Sequence, residues 1–361
     1  YYNGHVYNIA TNSNVLKNRT IEEQIRLMEE LKNRDYNKYA CCIATDSDVL
    51  NSRTIEEQIK LMEELKKCYY NGHVYNIATN SNVLKNRTIE EQIKLMEELK
   101  KYDYNENACY IATNSNVLKN RTIEEQIKLM EELKKFDNNE NACFVATDSD
   151  VLNSRTTEEQ IKLMEELKNC DYNENACMIV ANSNVLKNRT IEEQIKLMEE
   201  LKNRDYNKYA CSIAIDDNVL NSRTIEEQIK LMEELKKCYY NWHVYNIATN
   251  SNVLKNRTIE EQIRLIETLK SYDYNENAYK IAINSDVLKN RTIEEQLNLM
   301  RAFIKKGKVS HNDNLQKIQN IKEYKKYLKK LKKELGKGAD VRLDTMVLEF
   351  IPDKKDRRKE N

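Results

Sequence analysis

The chain has 361 residues, a third of them charged, and its 59 Lys and Arg balance its 59 Asp and Glu. It contains 5 Gly and 1 Pro, and no run of about 18 apolar residues, so the composition excludes a transmembrane helix and favours a soluble, nearly all-helical protein. The charge is uneven, because residues 307–361 carry 16 basic and 9 acidic residues. The chain begins at Tyr1 without a Met, so we expect a fragment whose N-terminal targeting cannot be assessed.

A 34-residue repeat fills residues 1–306. The threonine of the string Arg-Thr-x-Glu-Glu-Gln recurs nine times at this spacing without an insertion, at Thr20, Thr54, Thr88, Thr122, Thr156, Thr190, Thr224, Thr258 and Thr292. A constant period of this length is typical of solenoids, in which each unit buries its apolar face on the next. The sequence therefore predicts an all-α fold, a right-handed α-solenoid superhelix of nine repeats.

Each repeat is predicted to contain a short helix, a turn, a one-turn helix and a long helix. In residues 103–136, the short helix is expected over 106–112 and is followed by a polar turn. Val117 and Leu118 then enter the core. Thr122 and Glu125 form a capping box that opens a helix of about 14 residues.

Residues 307–361 are predicted to form a basic C-terminal cap helix and tail. From Asn314 to Leu335, Leu, Ile and Tyr recur at helical spacing among lysines. We expect this stripe to pack on the ninth repeat, although its Lys-rich face would also suit phosphate.

The sequence indicates no enzyme, no cofactor and no metal site. Eight of the nine Cys recur at two repeat positions, and equivalent positions lie about 8–10 Å apart in stacked helices, too far for disulfides. The four His form no ligand cluster, and no Ser/His/Asp set or Gly-rich phosphate loop is present. We interpret the Cys as small buried residues of a reducing compartment, the cytoplasm or nucleoid.

Variation between the repeats is concentrated in the turn and the short helix. The turn reads Asn-Ser-Asn-Val-Leu-Lys-Asn in one form and Asp-Ser-Asp-Val-Leu-Asn-Ser in the other, a difference of three charges. Turns and helix starts prefer these residues in any case, so a purely structural role stays open. In the short helix, the entry residues and one later position vary, the latter being Asn8, Cys42, Asn76, Tyr110, Phe144, Met178, Ser212, Asn246 and Lys280.

One arginine precedes the cap threonine in every repeat, and a second basic residue recurs at Arg26, Lys60, Lys94 and Lys128. We call each series of recurring basic residues a basic ladder. Such a ladder could contact successive phosphates of a nucleic acid, or alternatively it could pair with the abundant Glu. The phosphate-contact candidates are Arg19, Arg53, Arg87, Arg121, Arg155, Arg189, Arg223, Arg257 and Arg291.

The order of parts resembles two nucleic-acid-binding families. A helix ending in Ile-Ala, a polar turn, Val-Leu, and then Ser/Thr-x-Glu-Glu resembles the mitochondrial transcription termination factor repeat. Ile111-Ala-Thr-Asn-Ser is similar to the specificity turn of transcription activator-like effectors. Both resemblances imply a helical solenoid on nucleic acid. The effector-type code would place Asp46, Asp148 and Asp216 on cytosines and the Asn units on purines.

We therefore expect a monomeric, modular protein that binds double-stranded DNA and no membrane. The base-facing candidates are the first turn residues, Asn12, Asp46, Asn80, Asn114, Asp148, Asn182, Asp216, Asn250 and Asn284. A protein-interaction solenoid is the alternative, favoured by the net acidity of residues 1–306 and by the Tyr, His and Trp among the variable residues. An RNA-binding array is the third hypothesis. If the turn is only structural, the variable short helix becomes the candidate recognition element.

Overall fold

A computed structural model of the chain describes residues 4–35 and 37–305. Within these ranges every regular element is an α-helix, and each repeat contributes three, named helix A, helix B and helix C. Repeats are numbered 1–9 in steps of 34 residues from Tyr1. The prediction of an all-α repeat solenoid is confirmed, whereas the predicted helix and tail of residues 307–361 lie outside the described residues.

The helices have nearly constant lengths. Helices A are α1 Gly4–Thr11, α4 Lys38–Thr45, α7 Gly72–Thr79, α10 Glu106–Thr113, α13 Glu140–Thr147, α16 Glu174–Ala181, α19 Lys208–Ile215, α22 Trp242–Thr249 and α25 Glu276–Ile283. Helices B are α2 Ser13–Asn18, α5 Ser47–Ser52, α8 Ser81–Asn86, α11 Ser115–Asn120, α14 Ser149–Ser154, α17 Ser183–Asn188, α20 Asp217–Ser222, α23 Ser251–Asn256 and α26 Ser285–Asn290. Helices C are α3 Ile21–Asn33, α6 Ile55–Lys67, α9 Ile89–Lys101, α12 Ile123–Lys135, α15 Thr157–Asn169, α18 Ile191–Lys202, α21 Ile225–Lys237, α24 Ile259–Ser271 and α27 Ile293–Lys305.

The capping box predicted for helix C is present. In α12, the Thr122 side chain accepts from the Glu125 backbone N–H at 3.2 Å, and the Glu125 carboxylate accepts from the Thr122 N–H at 2.8 Å. The predicted polar turn is shorter than expected. Helix A runs to Thr113 and helix B begins at Ser115, so Asn114 alone separates them.

The chain divides into two compact units between Lys236 and Lys237, within the seventh repeat. In the first unit, helices A pack on helices A, helices B on helices B and helices C on helices C of successive repeats. In the second unit the same stacking joins α22 to α25, α23 to α26 and α24 to α27. The core consists of the apolar positions predicted from the repeat, including fully buried Val117, Met130 and Leu133.

Helix C ends in a left-handed turn without glycine. Asp103 and Tyr104 have φ of 50° and 57°, and equivalent residues follow helix C in the other described repeats with a complete turn. The Tyr104 N–H donates to the Leu99 carbonyl at 3.1 Å, which satisfies a carbonyl at the end of α9 as in a Schellman motif. The left-handed conformation strains residues with a side chain, and such backbone strain persists only where the surrounding structure stabilises it.

Glycine in this turn should stabilise the protein. Relief of left-handed strain, about 1–2 kcal/mol, outweighs the added freedom of glycine in the unfolded chain, about 0.4–1 kcal/mol, so Asp103→Gly should raise the free energy of unfolding by roughly 0.5–1 kcal/mol. Urea unfolding followed by circular dichroism measures this change. Glu131→Gly, at an exposed site in the middle of α12, is the matched control and should cost about 1 kcal/mol. A loss of stability in both variants would contradict the strain argument.

Candidate binding surface on the stacked repeats

The arginine before each cap threonine links its repeat to the next one. Arg87 donates through Nη2 to the Arg121 carbonyl at 2.7 Å and through Nη1 to the Leu118 carbonyl at 3.1 Å. Its Nε and Nη2 also donate to Oε1 of Gln126 at 3.2 and 3.1 Å, and Nη1 reaches the Asn86 carbonyl. All five guanidinium N–H donors are therefore engaged inside the protein. Burial lowers the pKa of Arg87 from its ordinary value, yet the group remains charged at neutral pH.

These acceptors are carbonyls that the helices leave unpaired. The Thr122 N–H, which could continue helix B to the Leu118 carbonyl, is taken by Glu125 instead. The last carbonyls of helix A likewise accept from a side chain. The Gln126 amide donates to the Ile111 and Ala112 carbonyls, both at 3.0 Å. Because Gln126 also accepts from the arginine of the preceding repeat, one buried network joins all three helices of a repeat to its neighbour.

The same network recurs along both units. In the first unit it is formed by Arg19, Arg53, Arg87, Arg121, Arg155 and Arg189, and in the second by Arg257. Arg223 is also buried. Arg291, in the last described repeat, is exposed and lies 3.9 Å from Glu295. The repeat interface thus explains why this arginine recurs. Phosphate contacts by these residues stay a prediction, and in the described repeats with the network they would require breaking it.

The second basic ladder pairs with glutamates of the following repeat. Arg26 lies 2.6 Å from Glu56, and Lys128 lies 2.7 Å from Glu158. Longer contacts, 3.8 and 3.5 Å, join Lys60 to Glu90 and Lys94 to Glu124. These side chains are about half exposed, so each pair contributes only about 0–1 kcal/mol and can be exchanged for another anion.

The nine base-facing candidates all lie at the N-cap of helix B. Asp148 Oδ1 accepts from the backbone N–H groups of Asp150 and Val151, both at 3.0 Å. Asn80 makes the same two bonds with Asn82 and Val83, at 3.0 and 3.2 Å. The remaining members of the set are the N-caps Asn12, Asp46, Asn114, Asn182, Asp216, Asn250 and Asn284. Asn and Asp therefore serve equally as caps. A contact between a base and the second terminal atom of each Asn or Asp side chain stays a prediction.

In each unit, the variable positions of helix A that are most often exposed are the first and the fifth, and we call them the variable face of that unit. The two positions lie one helical turn apart on the same side of the helix. They are occupied, in order, by Gly4 and Asn8, Lys38 and Cys42, Gly72 and Asn76, Glu106 and Tyr110, Glu140 and Phe144, Glu174 and Met178, Lys208 and Ser212, Trp242 and Asn246, and Glu276 and Lys280. Every first residue is exposed, and the fifth is exposed or partly exposed.

Neighbouring variable positions have structural roles instead. Asn107, the second residue of α10, donates through Nδ2 to the Asn138 carbonyl of the next repeat at 2.8 Å. Cys109, the fourth residue, is buried, and its Sγ contacts the His73 carbonyl at 3.5 Å. The variable short helix is predicted from the sequence, but the separate roles of its positions are not. The i, i+4 spacing of the two exposed positions is the signal that could have done so.

The cysteines are mostly buried thiols, as predicted. All nine are free, seven are buried, Cys177 is partly exposed and Cys42 is exposed. Burial raises the pKa of Cys109 and of Cys211 to about 11, so both thiols are neutral at physiological pH. Within the described ranges, no cluster of three or more His, Cys, Asp or Glu has a geometry that could hold a metal ion.

Comparison of the sequence with protein-family models and with curated proteins finds no match. Among the helices described for residues 4–305, none combines the length and the apolar character needed to cross a membrane.

Removal of one buried arginine should destabilise the array. Arg121→Ala leaves the Arg155 and Leu152 carbonyls without their donor and should lower the free energy of unfolding by about 2–4 kcal/mol. Arg291→Ala is the control, because this arginine is exposed, and should change stability by less than about 0.5 kcal/mol. Urea unfolding of both variants provides the measurement. Equal effects would show that the buried network is not the source of stability.

Substitution at the turn should separate capping from charge. Asp148→Ala removes the cap of α14 and should cost about 1 kcal/mol, whereas Asp148→Asn keeps the accepting oxygen and should cost less than about 0.5 kcal/mol. Thermal unfolding of the two variants measures the difference. A comparable loss in Asp148→Asn would assign the carboxylate a role beyond the cap.

Proposed function

We propose that this chain is a modular protein-interaction solenoid whose variable face binds a partner protein. The observation that carries the proposal is the exposure of Tyr110, Phe144 and Met178 on three successive repeats, at 53%, 43% and 48% of their surface. Exposed apolar patches mark interaction sites, whereas single exposed apolar residues do not, so the recurrence on three successive repeats is what counts. Tyr and Met are also enriched at protein interfaces.

The division between invariant and variable positions supports this proposal. The recurring arginines, glutamines and cap residues make hydrogen bonds within and between repeats, for example Arg87 with Gln126 and Asn114 with Val117. Their recurrence therefore follows from the stacking of the repeats. The variable face carries the residues that differ between repeats, which is where a modular binding protein places its specificity.

Binding to double-stranded DNA and binding to RNA are the other two hypotheses from the sequence. Binding to nucleic acid would draw on the exposed basic ladder, which includes Arg26 and Lys128, because the recurring arginines before the caps are engaged in the array. The repeats are net acidic, since residues 1–306 hold 43 basic and 50 acidic residues. This balance weakens the general attraction to a polyanion.

Parallel selections on the full chain test the proposal. One uses a displayed library of protein fragments, and the others use randomised double-stranded DNA and randomised RNA. The variants replace the variable face in blocks of three repeats, and each new residue is one that occupies the same position in another repeat, so that the fold is kept. We expect enriched protein fragments that lose binding to at least one block variant.

Two results would overturn the protein-interaction proposal. The first is that no protein fragment is enriched while a nucleic-acid sequence is. The second is that enriched fragments bind every block variant as well as the original chain. In the DNA selection, a site whose preference at a single step changes in Asp148→Asn would instead support base recognition by the turn.

A further inference from the structure

The apolar part of the variable face is confined to repeats 4–6. Tyr110, Phe144 and Met178 occupy the fifth position of helix A there. In the other repeats of the first unit, the same position holds small or polar residues, namely Asn8, Cys42, Asn76 and Ser212. Because these small residues are accommodated by the same fold, the large apolar side chains are not required for stacking. We call the three side chains the apolar stripe.

A row of carboxylates accompanies the apolar stripe. Glu106, Glu140 and Glu174 are the first residues of α10, α13 and α16, one turn before the stripe residues, and all three are exposed. None of them forms an ion pair with a described residue of the chain. A glutamate in the first turn favours helix formation through the helix dipole. However, Lys38 and Lys208 occupy this position in repeats 2 and 7, so helix stability does not dictate the acid.

The spacing of the stripe suits a helical ligand. Stacked helices lie about 8–10 Å apart, and a helix rises 1.5 Å per residue, so about five to seven residues of a ligand helix span one repeat. Apolar side chains at every seventh position would therefore meet Tyr110, Phe144 and Met178 in turn. Lysine or arginine residues beside them would face the carboxylates.

We infer that repeats 4–6 bind a basic amphipathic helix of a partner protein, with its apolar side chains on the stripe and its cations on Glu106, Glu140 and Glu174. The inference rests on the proposed function and names the partner of the same face. The apolar stripe and the row of carboxylates together select the ligand. An apolar ligand without cations would leave the three carboxylates unpaired, and an acidic ligand would be repelled by them.

The test uses a synthetic 21-residue helical peptide whose leucines form a stripe with heptad spacing and whose other face carries lysine. Fluorescence anisotropy measures its binding to the full chain. In the stripe variant, Tyr110→Asn, Phe144→Asn and Met178→Asn are combined, because Asn occupies this position in repeats 1, 3 and 8. We expect binding at least tenfold weaker than that of the original chain.

A charge variant tests the second part of the inference. It combines Glu106→Lys, Glu140→Lys and Glu174→Lys, because Lys occupies this position in repeats 2 and 7. We expect at least tenfold weaker binding of the lysine peptide and a gain for a matched peptide with glutamate in place of lysine. Cys42→Ser combined with Asn76→Ser, outside the stripe, is the control and should leave the affinity unchanged. Circular dichroism verifies the helical content of every variant.

Three results would overturn the inference. The lysine peptide could bind the stripe variant as tightly as the original chain, or the glutamate peptide could bind the original chain as tightly as the lysine peptide. The third result is a dimer of the original chain, seen by sedimentation, that the stripe variant does not form. In that case the stripe binds a second copy of the chain. If selected protein fragments depend on other blocks of the variable face, the proposed function stands and only the inference fails. If no protein fragment is enriched while a nucleic-acid sequence is, the proposed function and the inference both fail.

Discussion

A buried guanidinium that donates to carbonyl oxygens of the following repeat holds neighbouring repeats of a unit in register. Arg87 illustrates why this interaction tolerates so little change, because its five donors reach helix B, helix C and the residue between them in the next repeat, and the Asn86 carbonyl in its own repeat. An arginine cannot lose its charge in a protein, so a buried one must find an acceptor for each N–H. The carbonyls at the ends of short helices supply these acceptors and gain a partner in return.

This network explains why the repeat keeps a constant length. Gln126 accepts from Arg87 and donates to Ile111 and Ala112, so the end of helix A, the single-residue turn and the start of helix C occupy fixed relative positions. An insertion in any of these segments would leave several buried polar groups without partners, which is among the costliest changes in a protein interior. The left-handed turn after helix C is a separate constraint, since backbone strain of this kind persists only where the surrounding structure stabilises it.

The same constraint separates the positions that recur in every repeat from those that vary. Residues that serve the network or the caps recur, whereas the exposed first and fifth residues of helix A lie outside it and differ between repeats. The exchange of Asn80 for Asp148 in equivalent caps changes charge but preserves the accepting oxygen. Tyr110 and Asn76 likewise occupy the same position with little consequence for the core. Specificity is thus best sought at positions such as Tyr110, where side chains leave the array and meet solvent.

The sequence by itself determined the repeat length, the three helices, the capping box and the buried apolar positions. Each of these depends on contacts within about four residues or on the periodicity of apolar side chains. Only the tertiary structure decided the role of the recurring arginine, because Arg87 acts on groups 31 to 39 residues away, in a different repeat. The same holds for the variable short helix. Its exposed and buried positions alternate according to which side meets the neighbouring repeat, and a single repeat contains no information on how it is stacked.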